Sequence, residues 1–154
     1  MLLSLGGEEA KIRMLSAARL LYQMGFSLYA TGQTSEFLLE NKIPNRFVYK
    51  VHEKGNPNVK DLITSKKVSM VVNISDKKDL GVKELSKQIT DGYIIRRAAV
   101  DCNIPLFTKV TIAKLFINSL AKYNLDMLKV KSWDEYVKRN QKLVLSGVEG
   151  SKMI

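Results

Sequence analysis

The chain has 154 residues, 45% of them apolar, and carries 25 Lys plus Arg against 15 Asp plus Glu, a formal charge of +10. That length closes one substantial core, and a composition near the globular average excludes collagen-like, low-complexity and repeat architectures. A single cysteine (Cys102) and a single histidine (His52) leave no internal disulfide and no His/Cys set for zinc, so no metal is expected.

Leu2 to Leu5 is a short apolar run stopped by Gly6-Gly7, and Glu8-Glu9 then suit the positive end of a helix. Ala10, Met14, Ala17, Ala18 and Leu21 recur at helical spacing up to Gly25. Phe26 to Ala30 reads as a second strand, and Thr31-Gly32-Gln33-Thr34 as a turn whose Thr34 or Ser35 caps a helix over Glu36 to Asn41. Phe47 to Val51 is β-branched and aromatic, a strand, and the polar loop His52 to Asn58 leads into an amphipathic segment from Val59 to Ser65. Val68 to Ile74 is apolar almost throughout, as a strand buried on both faces would be. Ser75 to Gln88 is polar and reads as a long loop. Tyr93 to Val100 is helical in pattern, Ile104 to Phe107 a strand, and Ile112 to Leu120 a helix. Beyond Tyr123 the expectation is an edge strand at Met127 to Val130, a helix from Trp133 to Leu143 and a frayed tail over residues 146–154. Such alternation predicts one α/β domain over residues 1–145, a doubly wound parallel sheet between two helical layers.

No segment approaches the roughly 20 apolar residues that span a bilayer. Met1 to Leu5 lacks the basic region and cleavage site of a signal peptide, so a cytoplasmic chain is expected. The basic residues are spread, never more than two in a row. Nucleic-acid binders concentrate them among aromatics, so anionic small molecules are the expected partners rather than nucleic acid or membrane.

Ligands of open parallel sheets bind beyond the carboxyl ends of the strands. The residues there are Gly6, Gly7 and Lys11 after the first strand, and Thr31, Gly32 and Thr34 after the second. Lys50 lies within the third, Asn73 and Ser75 follow the fourth, and Thr108 the fifth. Hydroxyls, an amide, helix-start N–H groups and two lysines suit a phosphate or carboxylate. The bland alternatives are capping for Thr31 and Thr34 and plain solvated lysines for Lys11 and Lys50. No catalytic carboxylate pair is read at these strand ends, no Ser/His/Asp order fits, neither a P-loop nor a dinucleotide glycine motif is present, and Asp76 is the one acid at a strand end that could act as a base. One or both of Arg96 and Arg97, in an otherwise apolar helix, are expected to make structural contacts.

Tyr29-Ala30-Thr31-Gly32-Gln33-Thr34-Ser35 resembles the threonine-rich phosphate loop of the methylglyoxal-synthase-like fold. Val71-Val72-Asn73, the stretch Tyr93 to Asp101 and Ile104-Pro105-Leu106 resemble one branch of it, the regulatory domain of the carbamoyl-phosphate synthetase large subunit. Ser132 to Tyr136 is similar to the tail of some members. The resemblance implies a five-stranded, three-layer allosteric module of a ligase of pyrimidine and arginine biosynthesis. It would bind UMP, IMP or N-acetylglutamate, act on synthetase domains elsewhere, and hold no cofactor or catalytic residue of its own. Carried over by position, the nucleotide-type phosphate site would be Lys11, Thr31, Gly32, Thr34, Lys50, Asn73 and Ser75. For the acetylglutamate type, Asp76 and Gly92 stand where asparagines are expected. A methylglyoxal-synthase-type lyase acting on dihydroxyacetone phosphate is the enzyme alternative, though its early histidine and one aspartate have no counterpart in this chain.

Overall fold

A sequence that alternates short apolar runs with amphipathic ones buries both by laying the runs side by side and covering each sheet face with helices. The computed structural model describes residues 1–75, 90–123, 131–135 and 137. Within the first compact unit, Met1–Lys122, the elements are β1 (Leu2–Leu5), α1 (Glu8–Gln23), β2 (Tyr29–Thr31), α2 (Gly32–Glu40), β3 (Arg46–Val48) and α3 (Val59–Thr64). They continue with β4 (Val71–Ile74), α4 (Asp91–Asp101), β5 (Leu106–Phe107) and α5 (Val110–Lys122). The five strands pair in parallel in the order β3-β2-β1-β4-β5. The chain winds outward from β1 in one direction and from β4 in the other, so the order reverses between these two strands. This is the doubly wound α/β architecture expected.

The pleat assigns alternate residues of each strand to opposite faces. Leu3, Leu5, Ala30 and Val72 join Met14, Ala17 and Leu21 of α1, Leu38 of α2 and Ala113 and Ile117 of α5 in one cluster. Leu2, Val48 and Val71 join Val59, Leu62 and Ile63 of α3 and Ile95 and Ala99 of α4 in the other. Three helices therefore cover one face and two the other. Cys102, at the end of α4, packs against the second cluster.

Four of the five strands, all but β1, are shorter than the apolar runs that announce them. Phe26 to Leu28 and Val68 to Met70 enter the sheet as connecting chain, with Leu28, Val68 and Met70 buried. The larger difference lies in α2, which starts at Gly32, four residues before the expected Glu36. Gly32 has φ +34°, so the chain turns directly from β2 into the helix, with no intervening loop for Thr34 or Ser35 to cap. The expected strand at Met127 to Val130 and the tail from 146 lie outside the described residues. In the second unit, Tyr123–Ile154, a helical turn at Trp133 to Glu135 opens with a reciprocal cap: the Glu135 N–H donates to Ser132 Oγ (3.4 Å), and the Ser132 N–H to Glu135 Oε2 (2.7 Å).

Leu3, in a central strand and fully buried, is a direct test of this core. Leu3→Ala is expected to cost about 2–5 kcal/mol in urea unfolding, whereas Ile12→Ala, at a position 63% exposed, is expected to stay within about 0.5 kcal/mol.

Candidate functional site: the carboxyl edge of the sheet

On the face covered by α3 and α4, the row Leu2, Tyr29 and Val71 is hydrocarbon and aromatic. Two residues further along each strand, about 6.6 Å toward the carboxyl edge, the same face carries Ser4, Thr31 and Asn73. The change from apolar to polar within one pleat repeat is abrupt, and each of these side chains has a hydrogen-bond partner. Thr31 Oγ1 donates to Ser4 Oγ (3.2 Å), Ser4 is in register with Asn73, and the Arg96 guanidinium donates from Nη1 to Asn73 Oδ1 (2.8 Å) and to Ser75 Oγ (3.0 Å). Thr31 and Asn73 are buried. Buried polar groups persist only when paired, and the row meets this in two sets, Thr31 with Ser4 and Asn73 with Arg96.

Thr34 and Ser35 spend their hydroxyls on tertiary contacts. Thr34 Oγ1 accepts from the Leu5 N–H (3.0 Å) and donates to the Leu5 carbonyl (3.3 Å), closing the end of β1. Ser35 Oγ donates to Asn45 Oδ1 (2.7 Å). Helix α2, whose N-cap residue Thr31 spends its hydroxyl on Ser4, has no side-chain cap and no acid in its first turn, and α1 likewise has no side-chain cap, although Glu8 and Glu9 complement its dipole. By contrast, α3 is capped by Asn58 and α4 by Thr90. The uncapped N–H groups of α2 follow directly from Thr31. A Cβ on Gly32 would meet open space, so the approach to them is clear.

Lys11 is not the solvated lysine that composition suggests. It is 4% exposed; its ammonium pairs with the exposed Glu8 carboxylate and lies 5.9 Å from the Phe37 ring centroid. Lys50 is half-buried just past β3, with its backbone N–H donating to Glu53 Oε2 (2.8 Å). Among the described residues no ion pair engages its ammonium. The loop that follows is fastened to the start of α4 by His52, whose Nδ1 lies 2.5 Å from Asp91 Oδ2 and whose N–H donates to Asp91 Oδ1 (3.4 Å). His52 thus serves as a tie between two connections at the carboxyl edge. Tyr49 and Gly55 make the same loop compact, because the Tyr49 ring occupies the space a Gly55 side chain would need.

Bonded contacts thus join Thr31 to β1 through Ser4, Thr34 to β1 through Leu5, and Asn73 to Ser75 through Arg96. No contact among the described residues links Lys11 or Lys50 to that network. Asp76 lies outside the described residues. Sequence reasoning missed Ser4, whose signal is a lone hydroxyl in the apolar run Leu2 to Leu5, and it left open which of the two arginines does the structural work. Arg97 pairs with Asp101 on the surface (2.9 Å), and Arg96 turns inward.

The chain is an open parallel α/β domain whose strand order reverses beside a buried polar row, the position at which ligands of such sheets generally bind. The family model for the MGS-like domain matches residues 13–108, and the chain belongs to that family. Among its relatives is the C-terminal section of the carbamoyl phosphate synthase large chain of Methanocaldococcus jannaschii, 36% identical over 128 residues that cover 83% of this chain and 19% of that protein. The carbamoyl phosphate synthase large chain of Thermoplasma acidophilum is 31% identical over 119 residues, 77% of this chain and 11% of that one. The multifunctional protein CAD of Squalus acanthias is 32% identical over 128 residues, 77% of this chain and 6% of that one. The chain therefore spans a fifth or less of the length of these relatives. A solved methylglyoxal synthase from Elizabethkingia anophelis shares the fold, with a TM-score of 0.56 and 14% identity over 89% of each chain.

Thr34→Val removes the hydroxyl that serves both peptide groups of Leu5. It is expected to lower unfolding stability by about 1–3 kcal/mol, while Thr34→Ser recovers most of the loss; paired urea titrations of the two variants read the difference.

Proposed function

We propose that this chain is an effector-binding regulatory domain of a carbamoyl phosphate synthase, which takes a phosphorylated nucleotide of the UMP or IMP kind at the carboxyl edge of its sheet. The observation that carries the reading is the start of α2: nine residues of helix with neither a capping side chain nor an acid in the first turn, opening beside the buried Thr31. A phosphate placed there would accept from the free N–H groups and meet the positive end of the helix dipole. Lys11 and Lys50 would supply the charge, with Thr31, Gly32 and Thr34 forming the loop and Asn73 and Ser75 the far wall.

Two further features support a phosphate over N-acetylglutamate. Lys11 is a buried cation whose paired carboxylate among the described residues, Glu8, is itself exposed and can yield to a dianion. Gly92 lies against Arg96, Asn73 and Ser75, where a Cβ would stand 3.1 Å from Arg96 Nη1 and 3.5 Å from Asn73 Oδ1; the asparagine of the acetylglutamate type would crowd this cluster. In this reading the domain reports effector occupancy to synthetase domains and performs no chemistry itself. No cofactor is required, because no bond is made or broken in it.

A thermal-shift screen of UMP, IMP, N-acetylglutamate and inorganic phosphate tests the reading, since a ligand of the native state raises the unfolding midpoint. A phosphate compound is expected to give the largest rise. A rise with N-acetylglutamate alone would overturn the nucleotide assignment, and phosphate release from dihydroxyacetone phosphate would make the chain a lyase. Lys50→Ala is expected to weaken the phosphate ligand roughly ten- to a hundredfold with little change in folding. Lys54→Ala, a charge loss on the same loop, is expected to leave affinity nearly unchanged; equal weakening by both would reduce the Lys50 effect to net charge.

A further inference from the structure

We infer that Arg96 is a positioning residue that makes Asn73 and Ser75 present donors rather than acceptors, and so selects for an anion at this site. The inference rests on the phosphate reading of the site and deepens it, from which residues bind to what makes them prefer a negative ligand.

An asparagine amide is ambivalent: its oxygen accepts, its nitrogen donates, and the two can exchange places by rotation of the side chain. A guanidinium has donors only and no acceptor. With Arg96 Nη1 at 2.8 Å, only the oxygen of Asn73 can face it, and the amide NH2 must turn the other way. Ser75 follows the same logic. Its Oγ accepts from Arg96 at 3.0 Å, so its own O–H points elsewhere. Asn73 is 3% exposed and cannot rotate out to water to escape the constraint.

The arrangement is held from above by α4. Gly92 and Arg96 are one turn apart, and the missing side chain at 92 leaves the guanidinium room to lie across Asn73 and Ser75. At the other end, Asn73 is in register with Ser4, which is bonded to Thr31 immediately before the open N–H groups of α2. A single arginine thereby sets the polarity of the β4 wall to match that of the α2 wall. Donors on both sides suit a phosphate oxygen, which only accepts. Without Arg96 the amide is free to turn its oxygen inward, and the site would accept neutral hydroxyl or amide ligands as readily.

The test is calorimetric titration of the whole chain with whichever of UMP, IMP and inorganic phosphate binds most tightly, applied to the native protein and to Arg96→Met, Arg96→Lys, Arg97→Met and Asn73→Asp. Arg96→Met is expected to weaken binding about tenfold or more, the scale of one charge-assisted hydrogen bond. Arg96→Lys, still a donor-only cation, is expected to restore most of it. Arg97→Met removes the same charge from a surface position and is expected to change affinity less than about threefold. Asn73→Asp keeps the bond to Arg96 and hence the fold, but turns an acceptor to the ligand and is expected to abolish anion binding. The Asn73 side-chain amide resonances, read by nitrogen-15 NMR, are expected to move on anion binding in the native protein and to lose that response in Arg96→Met. Equal weakening by Arg96→Met and Arg97→Met, or an unchanged Asn73 response without Arg96, would overturn the inference while leaving the phosphate site in place. Should Arg96→Met fail to fold, Arg96→Lys and Asn73→Asp decide: anion affinity surviving Asn73→Asp overturns it. A native chain that binds none of the three anions overturns both this inference and the reading beneath it.

Discussion

Every strand of this sheet runs the same way, so every carboxyl end, and the loop that leaves it, falls on one edge. Parallel pairing requires a crossover between neighbours, and each crossover here is a helix that starts at that edge. The edge therefore collects helix N-termini, their partial positive charge and their unsatisfied N–H groups without any residue being selected for the purpose. The site is a consequence of the winding, and the side chains refine it.

The refinement consists in where caps are present and where they are withheld. Asn58 and Thr90 close α3 and α4, while the hydroxyl of Thr31, the N-cap residue of α2, is drawn away to Ser4. Thr34, in the first turn of α2, closes the end of β1 through both peptide groups of Leu5, and so holds the start of α2 against the central strand. The row itself sits where the order of the strands reverses, between β1 and β4, the position at which flanking connections diverge and leave a crevice.

Much of the fold was legible in the sequence because periodicity is a local record of burial. The apolar run Val68 to Ile74 fits a strand buried on both faces, and its second half, Val71–Ile74, is one; the spacing of Ala10, Met14, Ala17 and Leu21 fits one face of a helix, which α1 is. What escaped was set by turns and partners. The start of α2 was misplaced because Thr34 and Ser35 carry the chemistry of caps, and nothing local reveals that their hydroxyls have distant partners. The burial of Lys11 was not legible, since the Phe37 ring beside its ammonium is brought there only when α1 and α2 pack, although its pairing with Glu8 is local to α1. Arg96 was marked out by its apolar surroundings, but its partners are 21 and 23 residues away.

The sequence by itself determined the alternation of strands and helices, the parallel sheet that follows from it, and the set of hydroxyl, amide and lysine residues at the strand ends, because each of these is written in spacings of two to four residues or in the residue that follows an apolar run. The tertiary structure decided which of those residues speak to one another. Ser4 with Thr31, Thr34 with Leu5, and Asn73 with Arg96 are pairs separated by 27, 29 and 23 residues, made adjacent by strand register and helix packing. Hydrogen bonds act only at contact distance, so donor and acceptor polarity at the site exists only once the chain has folded.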